Sequence, residues 1–365
     1  MSKNFDGIKK QKFGVEVECT GLIRAVAARA VAKVLDGSLE HLGGSYDRYD
    51  IKDSKNRTWK IVSDSSIRCT TKNGSAASRM YSVELVTPIL EYEDMATLQE
   101  VVRSIRRSGG ICNESTGIHI HIDFTPYDAR TLRNLVNIFA SKEDMLYKAL
   151  QVNSNRENTY CQKVDKQFLE ELNRKKPKDL QTIKRLWYGD NDDYHPHYDS
   201  SRYRCLNLHS VFTDNNIEVR AFNSSLNAGV LRAYISLVLA VSNQALTQKS
   251  ASSHVTQSEN PRYTFRTWLI RIGLNGQEFK NCRKHLLAHL EGNIAWKNPE
   301  QAIAQRERLR QERIAAREQR VEPEREVQQQ PDNVSDEISE PTVSECDEAL
   351  EYEDFEEEET FEMSM

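Results

Sequence analysis

Polar and apolar residues alternate through Phe13-Gly14-Val15-Glu16-Val17-Glu18-Cys19, which predicts a β-strand. Side chains two apart share a strand face. Val15 and Val17 therefore turn into a core, and Glu16 and Glu18 stand side by side on the other face, about 7 Å apart. The same device returns three times. Residues 80–86 set Glu84 away from Val83 and Leu85. Residues 117–124 set His119, His121 and Asp123 opposite Ile118, Ile120, Ile122 and Phe124. Residues 216–222 set Glu218, Arg220 and Phe222 opposite Ile217, Val219 and Ala221. Short strands are also predicted at 46–51, 58–62 and 205–211.

Helical spacing marks residues 23–35, stopped by Asp36-Gly37. It returns at Met95, Leu98, Val102 and Ile105, with arginines and Gly109-Gly110 at the C-terminal end. Thr125-Pro126 opens a helix carrying Leu132, Leu135, Val136 and Phe139. Residues 230–241 form an apolar helix, and 261–291 hold two more. Residues 141–204 are polar and read as an insertion or lid. Residues 298–321 read as a charged, solvated helix, and 322–365 as an acidic disordered tail. The expected catalytic domain is 1–297.

Composition sharpens this division. The chain has 365 residues and 38% hydrophobic content, which is low enough to leave part of it unpacked. No apolar run reads as long enough to span a membrane, and the polar, basic residues 1–12 are no signal peptide. Seven scattered cysteines without a CxxC pair argue for reduced thiols, a cytoplasmic setting and no cysteine zinc site. From residue 322 onward there are 18 acidic residues and one basic. Against totals of 55 and 50, this leaves 37 acidic and 49 basic residues in the first 321, a net of about +12. A basic body suits an anionic ligand, and an acidic tail could shield it.

The four strands supply a cation-binding inventory: Glu16 and Glu18, Glu84, His119 and His121, then Glu218 beside Arg220. Carboxylates with one imidazole suit Mg2+ or Mn2+. There are enough of them for two ions, and Arg220 can meet a phosphate. Each piece alone has a plainer account. H-x-H is more often a surface pair or zinc site, and E-x-R is more often a cross-strand ion pair. His195 and His197 lie in a polar loop and read as non-functional. No Gly-rich phosphate loop is present.

In order along residues 12–248, E-x-E, a later Glu, G-x-H-x-H and E-x-R-x-F closely resemble the amidoligase family, distant kin of glutamine synthetase and glutamate–cysteine ligase. The resemblance implies an α+β fold like the glutamine synthetase catalytic domain. Its curved, largely antiparallel sheet would carry helices on one face and an active-site funnel on the other. It implies an ATP-dependent carbon–nitrogen ligase that forms an amide through an acyl phosphate with Mg2+ or Mn2+. Its substrates would be small-molecule or peptide carboxylates and amines, with no membrane partner. The resemblance makes Glu16, Glu18, Glu84, His121 and Glu218 metal ligands, and places His119 on the nucleotide side. Arg220 becomes the phosphate-binding arginine. Glu84 and Asp64 are added as catalytic candidates, and Arg202, Arg204 and Asn207 as weaker phosphate or carboxylate contacts. One departure stands out: the family's Asp-Gly-Ser is Asp64-Ser65-Ser66 here, which removes the glycine that takes a positive φ freely. Two rivals remain. One is a metal hydrolase built on His119 and His121. The other is a nucleic-acid- or protein-binding module using the basic body, ranked last for want of any recognisable nucleic-acid motif.

Overall fold

The computed structural model describes residues 3–189, 199–297 and 299–327. The chain opens with α1 (Lys3–Lys9), β1 (Phe13–Cys19), α2 (Arg24–Leu35), β2 (Ser38–Gly43), β3 (Arg48–Lys52) and β4 (Thr58–Val62). It continues through β5 (Val83–Val86), α3 (Met95–Arg107), β6 (Gly117–Asp123), α4 (Ala129–Leu150), α5 (Ser154–Thr159), α6 (Lys166–Lys175) and α7 (Leu180–Tyr188). There follow β7 (Leu206–Asn207), α8 (His209–Thr213), β8 (Asn216–Asn223), α9 (Ala228–Thr247), α10 (Pro261–Arg271), α11 (Lys280–Leu287) and α12 (Pro299–Val327). The chain divides into two units, 1–291 and 292–365. Residues 190–193, His195, His197 and the expected acidic tail from 328 onward lie outside the described residues, while 322–327, expected in the disordered tail, continue α12.

The strands form one open sheet in the order β2-β3-β4-β5-β1-β6-β8-β7. All its strand pairs are antiparallel, so the fold is α+β, as expected. One face is apolar: Val15, Val17, Leu85, Ile118, Ile120, Ile122, Ile217 and Val219 are each at most 2% exposed. Helices cover it, α2 against β3 and β4, α4 against β8 and α9 against β6. By alternation the other face carries the polar residues.

Several elements differ from the sequence expectation. Residues 205–211 give only the two-residue β7 before turning into α8. Asn207 Oδ1 accepts from His209 N at 2.8 Å and Ser210 Oγ donates to Asn207 O at 3.0 Å, a local pairing that competes with strand continuation. Strand β5 begins at Val83 rather than 80. The carbonyls of Arg79 and Ser82 instead take the guanidinium of Arg24, each at 2.7 Å. Helix α4 starts at Ala129, capped reciprocally by Asp128 and Thr131. It runs unbroken to Leu150 with Met145, Leu146 and Leu150 buried, so 141–150 belongs to the core. Strand β2 is exposed almost throughout, which left no alternation to read. Among the described residues α9 is long and apolar enough to cross a membrane, contrary to the expectation of no such run. It packs on α1, α3, α4 and α11, which accounts for its composition as a core helix.

A register shift in β8 has the largest consequence. Ile120 pairs with Val219 but Ile118 pairs with Phe222, so β8 carries one extra residue there, a β-bulge. Phe222 is thereby moved to the helix face, where it stacks on Tyr234 at 4.5 Å, while Glu218 stays opposite His121.

Glu143 on α4 yields a stability prediction. It is 5% exposed and accepts from Val164 N at 2.9 Å. Burial pushes its carboxyl up to about 7 from the ordinary 4.5. Stability from such a group is full below 4.5 and is lost as pH rises through 7. At about 1.4 kcal/mol per unit the cost at pH 8 is at most about 3 kcal/mol. Glu143→Gln is expected to raise the melting temperature at pH 8 and to leave it nearly unchanged at pH 5. An equal change at both would contradict the assignment.

Candidate active site

The register of five strands builds the site. Glu18 lies opposite Glu84, and Glu16 opposite His119. Glu218 lies opposite both His121 and Asn207. Opposite residues in an antiparallel pair share a face, so the residues singled out on separate strands form one row. His119 Nδ1 is 2.9 Å from Glu16 Oε2 and 3.5 Å from Glu218 Oε1, and its Nε2 is 3.8 Å from Glu18 Oε1. His121 Nε2 is 3.4 Å from Glu16 Oε1, and its Nδ1 meets Asn216 Oδ1 at 2.9 Å. Since the amide oxygen accepts, Nδ1 donates to Asn216, and Nε2 faces the carboxylates.

Glu218 is the most heavily supported member. It is 3% exposed, accepts from Asn207 Nδ2 at 2.6 Å, and pairs with the Arg220 guanidinium. Arg220 Nε donates to Tyr160 O at 3.3 Å. Glu18 Oε2 takes the Gly117 N–H at 2.7 Å.

Asp64 reaches the same face from a loop. It forms a turn without any positive φ at Ser65. Asp64 Oδ1 accepts from Ser66 N at 2.6 Å, and Ser82 Oγ donates to Asp64 O at 2.7 Å. Hydrogen bonds thus replace the glycine's conformational freedom.

Among the described residues, three sets bring one ligand atom each within 4.8 Å of one another: Glu16, His121 and Glu218; Glu16, Glu84 and His119; and Glu18, Asp64 and Glu84. Carboxylate oxygens with at most one imidazole fit Mg2+ or Mn2+. No set contains both histidines.

Charge divides the row. Burial favours protonation of Glu16, but His121 and His119 outweigh it and hold the carboxyl well below its ordinary range. Burial likewise opposes ionisation of Glu218, and Arg220 with both histidines brings it down to about 2. Burial disfavours the His121 cation, yet Glu16 and Glu218 raise it to about 9. At the other end burial raises Glu18. Burial and the charges of Glu16, Glu18 and Asp64 push Glu84 well above its ordinary value.

A cavity of about 680 Å3 opens at the Glu16, His121 and Glu218 end, a size common among small-molecule and cofactor sites. Arg202, Asn207 and Asn216 line it. Arg204 does not. It donates to Lys163 O at 3.0 Å and to Asp165 at 3.3 Å, so it braces residues 163–165. Asn207 orients Glu218. Two participants were missed by sequence reasoning. Asn216, which holds His121, is an unremarkable strand residue. Arg156, whose Nη2 donates to Arg220 O at 3.2 Å beside Gly117, lies in the segment taken as a lid, although a glycine on the face of a strand signals that something approaches closely there.

An antiparallel α+β protein with clustered carboxylates, two histidines and a buried arginine on its open face is the class defined here. Residues 9–242 match the family described as "Putative amidoligase enzyme", and the chain belongs to that family of carboxylate–amine ligases. No curated protein matches it. Among solved structures it is similar to a bifunctional glutathione synthetase from Pasteurella multocida. The two are 12% identical with a TM-score of 0.37, over 78% of this chain and 48% of that one. The chain thus spans about half the length of that protein.

Proposed function

We propose that the protein is an ATP-dependent ligase that joins a carboxylate to an amine through an acyl phosphate. The observation that supports this most is the Arg220–Glu218 pair within the row of Glu16, Glu18, Glu84, His119 and His121, beside the 680 Å3 cavity. Divalent ions held by Glu16, His121 and Glu218, and by Glu18, Asp64 and Glu84, would neutralise phosphate charge when bound.

Arg220, held rigid by Glu218 and Tyr160 O, donates to the transferring phosphoryl group. The substrate carboxylate attacks the γ-phosphorus and ADP leaves. The amine then attacks the acyl carbon, the C–N bond forms and phosphate departs. The departing phosphate takes the proton released by the amine, while Glu84 would be engaged by the ion. Asp64 helps draw in the ammonium form beforehand. The described part of the 151–204 segment walls the open face from water through Tyr160 and Arg156.

The hydrolase alternative needs His119 and His121 on one ion, and no described cluster holds both. The deciding experiment follows ADP release with Mg2+ or Mn2+ against pools of acids, amines and short peptides, with hydroxylamine as trap. ADP and a hydroxamate are expected together, both lost in Glu18→Ala. Absence of ADP with every acceptor would remove the ligase reading.

A further inference from the structure

Arg156 on α5 is 3% exposed, and so far it has only a walling role. Gly117 has the same strand parity as His119 and His121, and the Arg156 guanidinium lies over it. A Cβ built on Gly117 would fall 2.4 Å from Nη2 and 2.5 Å from Nη1. The glycine of the G-x-H-x-H motif is therefore the place where an arginine from a distant helix rests on the strand. Nη2 donates to Arg220 O at 3.2 Å, within the β8 bulge. Among the described residues Nε is buried without a partner. Among the described residues no carboxylate lies within 4.0 Å of the guanidinium. The nearby Glu18 commits Oε2 to the Gly117 N–H instead.

Arginine has five N–H donors and keeps its charge when buried. Glu18 feels the Arg156 charge from beyond ion-pair distance, but the guanidinium's one hydrogen bond among the described residues is to a backbone carbonyl. Burying a charge so is costly, and an anion in bidentate contact offsets such a cost. The position also separates two reactants. Arg156, Gly117, Glu18 and Glu84 are absent from the cavity wall, which lies at the Glu16, His121 and Glu218 end. The cavity is of a size that suits a nucleotide, which leaves the Gly117 end of the open face for a small oxyanion.

We propose that Arg156 is the residue that holds the carboxylate of the acid substrate, at the Gly117 end of the open face. The assignment deepens the ligase reading and rests on it. The guanidinium keeps the nucleophilic carboxylate ionised among five protein carboxylates and aims it at the phosphoryl group beside Arg220. Arg156 thus acts on substrate, and Gly117 makes room for it.

The test uses acetate as probe and reads thermal stabilisation of the full chain at constant ionic strength. Binding of ADP with Mg2+ is followed in parallel. Arg156→Gln is expected to weaken acetate binding at least about tenfold and Arg156→Lys to recover part of it. Gly117→Ala keeps every charge but places a methyl where the guanidinium lies. It is expected to weaken acetate binding as well, and it serves if Arg156→Gln does not fold. ADP binding is expected to be unchanged in all three. Acetate binding unchanged in Arg156→Gln or Gly117→Ala, or absent from the wild type, would overturn the proposal. Loss of acetate and ADP together would assign Arg156 to the nucleotide phosphates and overturn it too. A wild type that binds acetate through Arg156 but never binds ADP would support the anion site while removing the ligase reading.

Discussion

Glu218→Gln is expected to lower ATP-dependent turnover by about 10^3-fold or more, with a loss of stability that a second substitution reverses. The side chain keeps its shape and loses its charge. Glu218 is the negative partner of Arg220, neighbours both histidines and belongs to the metal-type set at the cavity mouth. The substitution would remove a metal ligand and strand a buried guanidinium at once. Breaking one side of a buried pair costs about 3–5 kcal/mol, whereas replacing both sides with fitting neutral groups is often neutral. Glu218→Gln with Arg220→Met is therefore expected to be more stable than Glu218→Gln alone and no more active. Steady-state ADP release and urea melts on the three proteins check this. Glu218→Gln retaining a tenth of the wild-type rate would exclude Glu218 from the chemistry, and a double variant less stable than the single one would exclude the stranded-charge account.

The site was legible in the sequence where a period of two could be read. Glu16 and Glu18, Glu84, His119 and His121, and Glu218 with Arg220 each sit on a strand with a clean apolar face. Antiparallel pairing then aligned them across the sheet. The same rule misplaced Phe222, because one extra residue in β8 reverses every side chain beyond it. Strand β2 escaped notice because it buries neither face. Asp64 looked doubtful without its glycine, yet bonds from Ser66 and Ser82 hold the turn. Arg204 sat in a promising basic stretch but turns to Lys163 and Asp165. Arg156 lies 39 residues beyond Gly117, and no local pattern couples the two. Only the close approach of the guanidinium to the strand does.

Mn2+ binding is expected to strengthen as pH rises, with protons released on binding, and Glu84→Gln is expected to flatten that dependence. Burial, then the charges of Glu16, Glu18 and Asp64, push Glu84 well above its ordinary 4.5. A raised carboxyl contributes stability that is full below 4.5 and is lost as pH climbs through the folded value. His121 has the same sign: its contribution is full below 6.5 and is lost as pH rises through about 9. Glu16 and Glu218 are depressed, so their contributions hold above 4.5 and fail only in acid. Between 6.5 and 9 the ion-free protein therefore loses stability from His121, Glu84 adds a loss of the same sign as pH climbs through its raised value, and the depressed Glu16 and Glu218 offset neither. A divalent ion needs those same groups unprotonated, so each displaced proton adds about tenfold in affinity per pH unit. The melting-temperature gap between Mn2+-saturated and chelator-treated protein should widen across this range. Calorimetry in buffers of different ionisation heat counts the protons released. In Glu84→Gln the count should fall, by no more than the single site removed. An unchanged count would mean that Glu84 holds no proton for the ion to displace, and its place beside Glu18 would then be explained by cation binding alone.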